Sequence, residues 1–365
     1  DKIGRRTAFR WCVILFVAFT VISVCTPDRG WWMLALLRVG VGIGVGGLNI
    51  TSIPYVQEFV PAKQRGLLAG LASVFIPAGL LLGAQAQQWL GEPLGWRGLI
   101  LLGALPVFLL FWLRTVPESP RSLMVRGKPD EAREALAWAM EIRPEEVGAL
   151  PPVTKTPSAP YSTILRHHLR PLIVITLGSF CFILGSFTVQ SWGQTLLKDG
   201  FSYSAAYVGL LFTFVSIGDI AGRLASAWLA DIIGRRLVMF SFGLLGAVGC
   251  VIAATAQTGT VFFVGIVIAM TFGDGAFGIL NAFGGEQFPN DVRATGLGLG
   301  YGIGATAKIF GPALMGMLIG GDMIKQNVTL QAVPPAFFLF AALLVVGGIT
   351  YLFAKETKNV ALERI

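Results

Sequence analysis

Long apolar stretches recur along this chain, and each is close to the roughly 20 residues that a helix needs to cross a bilayer. Apolar residues make up 54% of the chain and charged residues only 13%, about half the charged share of a soluble domain. In lipid, only helices and closed barrels satisfy every backbone group, and these stretches are too long for barrel strands. The sequence therefore predicts an all-α polytopic membrane protein with ten spans: 7–26, 31–55, 66–88, 96–113, 170–192, 205–230, 237–256, 260–284, 296–319 and 334–354.

Two short motifs occur twice, in the same order. DKIGRR opens the chain at 1–6, and DIIGRR follows at 231–236. EFVPAKQRG at 58–66 and EQFPNDVRATG at 286–296 share Glu-x-x-Pro-x-x-x-Arg with a glycine soon after. Both second copies lie about 230 residues after the first copies, which indicates an internal repeat.

The repeat predicts two related helical bundles joined by a polar insert. We expect four spans in 1–115, a cytoplasmic linker with a short amphipathic helix in 116–169, and a six-helix bundle in 170–365. The second copy of DxxGRR follows two apolar runs that the first copy lacks. We therefore expect two further spans before residue 1.

The net charge of +8 reflects topology rather than a nucleic-acid partner. Cytoplasmic loops of membrane proteins carry an excess of Lys and Arg. Most of the 28 Lys and Arg residues lie on one side of the predicted spans, in segments 1–10, 57–65, 114–170, 235–236, 293 and 355–364. That side is predicted to be cytoplasmic.

The doubled motifs, together with PESPRSL at 117–123 and KETKNVALE at 355–363, resemble the major facilitator superfamily of secondary transporters. The resemblance covers essentially the whole chain and implies ten of the family's usual twelve helices, with the first two missing. It also implies two six-helix bundles around a central cavity that binds substrate near the bilayer midplane.

Within that superfamily, PESPRSL and the terminal ETK motif resemble the sugar-porter and metabolite–proton symporter branches. The sugar-porter signature Q-Q-x-x-G-x-N is absent, and FTVQSWGQTLLKDG at 187–200 is more similar to the organic-acid and aromatic-acid proton symporters. The drug-antiporter signature is incomplete, because Ala84 stands where its proline is expected.

Carboxylates and guanidiniums are crowded where the predicted spans meet the cytoplasm. The resemblance implies that they form a network that closes the cavity on that side, and the alternative is that they only anchor the topology. Single exposed pairs contribute only about 0–1 kcal/mol, so a gate requires a partly dehydrated network. The predicted members are Asp1, Arg5, Arg6, Glu58, Arg65, Asp231, Arg235, Arg236, Glu286 and Arg293.

Ionisable residues also lie deep within the spans. Asp219 and Asp274 each precede a cytoplasmic motif by 12 residues, which places them about 18 Å into the bilayer. A charge at mid-bilayer costs at least a few kcal/mol and marks a pathway or a proton relay. Arg223 is four residues after Asp219 and can pair with it, which leaves a purely structural pair as the alternative. We predict that Asp274 is the proton or coupling site.

Two further cations complete the predicted site. Lys308 fits either a carboxylate substrate or a salt bridge to Asp274 or Asp219. Arg38 matches a family position linked to coupling, although its guanidinium can instead reach the outer interface. Polar side chains along the same spans are candidate substrate contacts: Asn49, Gln190, Trp192, Gln194 and Asn281.

We therefore expect a multi-pass protein of the cell (inner) membrane that imports a small organic acid or metabolite together with protons by alternating access. The expected partners are a small-molecule substrate, protons and lipid, with no nucleic acid, no cofactor and no metal, and we expect a monomer. A sugar or polyol porter and an efflux carrier are the alternatives within the superfamily. A membrane-embedded enzyme or receptor is the alternative from another class, but two His residues leave little acid–base chemistry.

Overall fold

The fold is described from a computed structural model of the chain, which describes residues 4–57, 59, 65–148, 161–289, 292–318 and 333–358. Within these ranges the regular structure is helical, and no strand occurs. The chain divides into two compact units. The first contains 1–69 and 90–156, and the second contains 70–89 and 157–365.

In the first unit, α1 and α2 pack along each other. The third helix is long and changes direction at Gly95, whose φ of 60° is accessible to glycine at little cost. A 3₁₀ turn at Leu105–Phe108 leads from it into a short fourth helix. The bounds are α1 Arg5–Val24, α2 Trp31–Gln57, α3 Arg65–Leu102 and α4 Leu109–Trp112.

The polar insert contains the predicted amphipathic helix. The helix α5 (Pro120–Val125) begins at Ser119, whose side chain accepts a hydrogen bond from the backbone N–H of Ser122, a common way to cap a helix N-terminus. The helix α6 (Pro129–Met140) buries three alanines and leaves its acidic first turn in solvent. The role of this segment as a linker between two helical bundles stays a prediction.

Among the described residues, the second unit contains part of α3 (residues 70–89) and nine further helices, two of which continue into a π-helical turn. The π turns are Leu196–Gly200, at the end of α8, and Met270–Asp274, between α11 and α12. The bounds are α7 Tyr161–His167, α8 Leu169–Thr195, α9 Ala205–Ile233, α10 Arg235–Ala254, α11 Gly259–Ala269, α12 Phe277–Gly285, α13 Arg293–Gly304, α14 Ala307–Leu318 and α15 Val333–Leu352.

The core of the second unit lies where α8, α10 and α15 meet. Phe182, Phe340 and Tyr351 are almost fully buried there, and Phe182 meets Tyr351 edge-on at 6.0 Å between ring centroids. Glycines let the backbones approach. A Cβ built on Gly243 would lie 2.7 Å from the carbonyl oxygen of Leu344, so only glycine fits this crossing.

Seven of the described helices are long and apolar enough to cross a membrane, and a bent pair, Val74–Leu102 with Leu105–Trp112, makes an eighth. Ten were predicted, and two local features explain the difference. The predicted spans 66–88 and 96–113 lie on the two sides of the kink at Gly95 within α3, and together they form the one bent pair. The predicted span 296–319 is divided into α13 and α14 by a turn after Gly304, and each part is too short to cross alone.

Candidate functional site

Three of the predicted deep residues form one buried ion cluster in the second unit. The Nε of Arg223 donates to Oδ1 of Asp219 at 2.9 Å, and its Nη2 donates to Oδ2 of Asp274. Exposed fractions are 1% for Asp219, 5% for Arg223 and 13% for Asp274. The sequence left open a purely structural Asp219–Arg223 pair, but the structure adds Asp274 as a second carboxylate on the same guanidinium. The ionised cluster therefore carries one surplus negative charge.

The cluster forms because α9 and the π turn before α12 lie in backbone contact. A Cβ at Gly222 would overlap the carbonyl oxygen of Thr271, so a larger residue would force the two helices apart. The hydroxyl of Ser226 also donates to the carbonyl oxygen of Gly275 at 2.7 Å. Single π turns within α-helices are frequent at functional sites. Here the turn ends at Asp274 and brings its carboxylate to Arg223.

A small cavity adjoins the cluster. Its volume is about 40 Å³, and it lies entirely within the second unit. Asp219, Gln190, Gln194 and Ser216 supply its polar lining, and Leu80, Phe212, Val215 and Met270 supply the apolar lining. Two of the predicted substrate contacts, Gln190 and Gln194, thus face the same space as Asp219.

Lys308 makes neither of the two salt bridges proposed for it, because both aspartates pair with Arg223 instead. No ion pair to Lys308 occurs among the residues that the structure describes. Its ammonium group lies 5.3 Å from the ring centroid of Phe187, a distance at which an aromatic face attracts a cation. The indole of Trp192 donates to the carbonyl oxygen of Pro312 at 3.1 Å, which ties α8 to α14 nearby.

The remaining predicted contacts are not brought to this cavity. Asn281 is exposed on α12 and does not belong to the described cavity lining. Arg38 is exposed on α2 in the first unit. The side chain of Asn49 lies outside the described residues.

A second polar network joins the ends of α9, α12 and α15 in the second unit. Arg235 pairs with Glu286, and the hydroxyl of Thr357 donates to Oε2 of the same glutamate at 2.6 Å. Asp231, although exposed, attracts Arg235 electrostatically. Arg236 donates to the carbonyl oxygen of Leu352, the last residue of α15. Three predicted members, Arg235, Arg236 and Glu286, therefore belong to one network.

Glu356 holds the centre of this network. Its carboxylate accepts the backbone N–H groups of Arg235 and Arg236, each at 3.1 Å, and those of Thr357 and Lys358, each at 3.0 Å. Burial alone would raise the pKa of Glu356, but these four backbone donors hold it below its usual range.

The first unit repeats the same local arrangement. Oε1 of Glu118 accepts the backbone N–H groups of Arg6 and Ser119, each at 3.0 Å. The guanidinium of Arg6 donates to the carbonyl oxygens of Leu113 and Arg114, both at 2.9 Å, as that of Arg236 does to Leu352.

The backbone conformation at the fourth position of each D-x-x-G-R-R motif explains why a glycine occupies it. Gly4 has φ 86° and Gly234 has φ 98°, values that other residues rarely adopt. A Cβ at either position would also collide with the glutamate carboxylate. At Gly234 this Cβ would lie 2.8 Å from Oε2 of Glu356.

The two glutamates were not predicted as site residues. Glu118 and Glu356 each follow an apolar span by a few residues, in VPES and AKET, and their shared position relative to the repeat is the signal that would have found them. Of the other predicted members, Arg293 donates to the carbonyl oxygen of Phe288 at 3.3 Å, and Arg5 has partners of its own. Asp1, Glu58 and the side chain of Arg65 lie outside the described residues. The role of the network as a cytoplasmic gate stays a prediction.

Comparison with known proteins places this geometry in a family. The model of the family described as "Sugar (and other) transporter" matches residues 1–365. The niacin transporter NiaP of Acinetobacter baylyi is 27% identical over all of this chain and 82% of its own length. The gallate transporter of Pseudomonas putida is also 27% identical, over 95% of this chain and 78% of its own length.

The fold has solved counterparts as well. The proton:xylose symporter XylE of Escherichia coli, a member of the major facilitator superfamily, superposes with a TM-score of 0.71 at 22% identity. That match covers 100% of this chain and 83% of XylE. The likeness shows that the chain has the all-α fold of that superfamily, as the sequence motifs had implied.

We expect the Glu356→Gln variant to lose about 0.5–1 kcal/mol of stability at neutral pH, because a neutral amide satisfies a positively charged helix N-terminus less well. Because its pKa is lowered, the carboxylate contributes fully above the usual glutamate pKa of about 4.3, and this contribution is lost as pH falls through the lowered value. Thermal unfolding in detergent, followed from about pH 3 to about pH 7, measures the difference in stability between the variant and wild type. The control is Glu146→Gln, which removes an exposed pair with Arg143. A difference between Glu356→Gln and wild type that grows in acid would contradict the assignment.

Proposed function

The chain belongs to the sugar (and other) transporter family, and on that premise we propose that it is a proton-coupled symporter of a small organic acid. Family membership makes it an integral, multi-pass transporter of the cell membrane rather than an enzyme. The proposal concerns what it carries and what drives the movement.

The observation that carries the proposal is the sharing of one buried guanidinium by two buried carboxylates. Arg223 neutralises Asp219 or Asp274, but not both. An uncompensated charge in a dehydrated site costs several kcal/mol, and like charges in one site favour protonation of one partner. Binding of a single proton makes the cluster neutral, so it can alternate between two charge states during a transport cycle.

Lys308 supports an anionic substrate. Its ammonium group is held against Phe187 and, within the described part of the chain, has no carboxylate partner. A carboxylate ligand would provide one, and an aromatic ring on that ligand would have the faces of Phe187 and Trp192 on α8 to pack against. The niacin and gallate transporters are named for aromatic carboxylic acids, which agrees with such a ligand.

A sugar porter is the second candidate, because the family model is named for sugars and XylE carries xylose. A neutral sugar would leave Lys308 without a counter-charge, and the sugar-porter signature Q-Q-x-x-G-x-N is missing from 187–200. Uptake of an organic anion together with one proton also costs less electrostatic free energy than uptake of the anion alone. One proton and one monoanion together carry no net charge across the low-dielectric interior.

We expect the Asp274→Asn variant to lose accumulation against a gradient, because the cluster then contains one carboxylate and one guanidinium and no longer needs a proton. Exchange of labelled for unlabelled substrate, which needs no net proton movement, should remain. The measurement is uptake of labelled nicotinate and gallate into proteoliposomes with an imposed pH gradient, with D-xylose as the neutral comparison. Asp199→Asn, an exposed aspartate at the end of α8, is the matched control. Wild-type accumulation by Asp274→Asn would refute its role, and pH-driven uptake of xylose alone would favour the sugar porter.

We expect the Lys308→Gln variant to raise the apparent KM for nicotinate by about tenfold to a hundredfold, the equivalent of losing a charged hydrogen bond of about 1.5–3 kcal/mol. Nicotinamide, which has the same ring but no charge, should compete equally weakly with wild type and variant. Concentration-dependent uptake with nicotinamide as competitor measures both effects. Lys198→Gln, an exposed lysine in the π turn after α8, is the control. An unchanged KM in Lys308→Gln would show that this lysine does not hold the carboxylate.

A further inference from the structure

The two carboxylates of the buried cluster differ in how their oxygens are used. In Asp274, Oδ2 accepts from Arg223, and Oδ1 lies 3.1 Å from the hydroxyl of Ser186, whose single hydrogen also has the carbonyl oxygen of Phe182 as an acceptor at 2.9 Å. In Asp219, Oδ1 accepts from Arg223 at 2.9 Å. Its Oδ2 is buried and accepts no hydrogen bond from any described residue. A buried, unpartnered carboxylate oxygen is costly, so this atom requires a ligand.

From this asymmetry we propose that the transported proton is carried on Oδ2 of Asp219, and that it reaches this atom through water in the adjoining cavity. The inference rests on the proposed symport and deepens it, because it names the atom and the route. It also differs from the sequence-based prediction, which placed the proton on Asp274.

Proton binding at Oδ2 of Asp219 resolves the local imbalance without disturbing another bond. The new O–H becomes a donor beside the cavity that Asp219 lines, while Oδ1 continues to accept from Arg223. A proton on Oδ2 of Asp274 would instead face an N–H group of Arg223, which cannot accept a hydrogen bond. One alternative is a proton shared between the carboxyls of Asp219 and Asp274, which lie within hydrogen-bonding reach of each other. The other is Oδ1 of Asp274, which can donate to the oxygen of Ser186 when the single hydrogen of that hydroxyl bonds the carbonyl oxygen of Phe182 at 2.9 Å.

The cavity supplies the route. Its volume of about 40 Å³ exceeds the roughly 10–15 Å³ that one water requires, and water is stable there only with two to four polar partners. Asp219, Gln190 and Gln194 provide such partners, whereas Asp274 does not belong to the described lining. Amide side chains both donate and accept. They can therefore solvate Asp219 in either protonation state without adding a charge.

The charged and titratable groups around Asp219 come from three elements. Arg223 lies on the same helix, and Asp274 lies on the π turn that packs against it. The phenol of Tyr301 on α13 interacts electrostatically with Asp274 and Arg223. The glutamines of α8 and the residues of α3 that line the cavity are uncharged, so the surplus negative charge stays within the cluster until the proton arrives.

The test locates the proton by infrared difference spectroscopy of the purified transporter between alkaline and acidic buffer. Replacing either aspartate would remove the surplus charge in both cases and would not discriminate between them. The variants therefore change the surroundings. Gln190→Leu/Gln194→Leu makes the cavity apolar, and Ser186→Ala removes the hydroxyl beside Asp274. Gln194→Leu alone, at an exposed position, provides a mild version should the double variant fold poorly.

We expect the C=O stretch of the protonated carboxyl to shift in frequency in the leucine variants, and its hydrogen–deuterium exchange to slow at least tenfold. Ser186→Ala should leave both unchanged. A shift confined to Ser186→Ala would place the proton on Asp274 and overturn the proposal, as would a band that no variant alters or the absence of any titrating carboxyl. The spectrum reports protonation whether or not it drives transport. A band assigned to Asp219 in a protein whose uptake ignores the pH gradient would sink the symport and leave this assignment standing.

Discussion

One guanidinium serves two carboxylates in the interior of the second unit, and the other features of the site follow from this shortage of positive charge. Arg223 bonds Asp219 and Asp274 at once, in surroundings where a charge without a partner is costly. Because the cluster is short of one positive charge, a single proton neutralises it. Lys308 does not supply that charge, because its ammonium group lies against Phe187; in the proposed mechanism it binds an anionic substrate.

This arrangement depends on backbone contact rather than on side-chain packing. Gly222 lets α9 touch the π turn that ends at Asp274, and Ser226 fastens the same contact through the carbonyl oxygen of Gly275. At the helix ends, a different device appears once in each unit. A glutamate, Glu118 or Glu356, accepts backbone N–H groups from the start of the helix after D-x-x-G-R-R. The duplicated motif thus encodes a duplicated joint between two helices.

The sequence could predict much of this, and its failures have physical causes. Asp219, Arg223 and Asp274 could be recognised singly, because a charge in an apolar stretch is rare and costly. That all three would meet could not be predicted, because a glycine contact and a π turn remote in sequence bring Asp274 to Arg223. Glu118 and Glu356 could not be recognised in this way, because a glutamate just after a span has no apolar pattern around it. The turn after Gly304 within the predicted span 296–319 could not be predicted, because apolar composition is the same on both sides of it.

The charge balance of the cluster is tested most directly by counting the protons that the purified transporter binds when its buffer is acidified, with a pH-indicator dye in weakly buffered detergent solution. Wild type should bind one proton more than either Asp219→Asn or Asp274→Asn, because each single replacement leaves one carboxylate paired with one guanidinium. The two variants should bind equal numbers. Equal proton binding by wild type and both variants would show that the cluster does not take up the proton, and would contradict the mechanism at its centre.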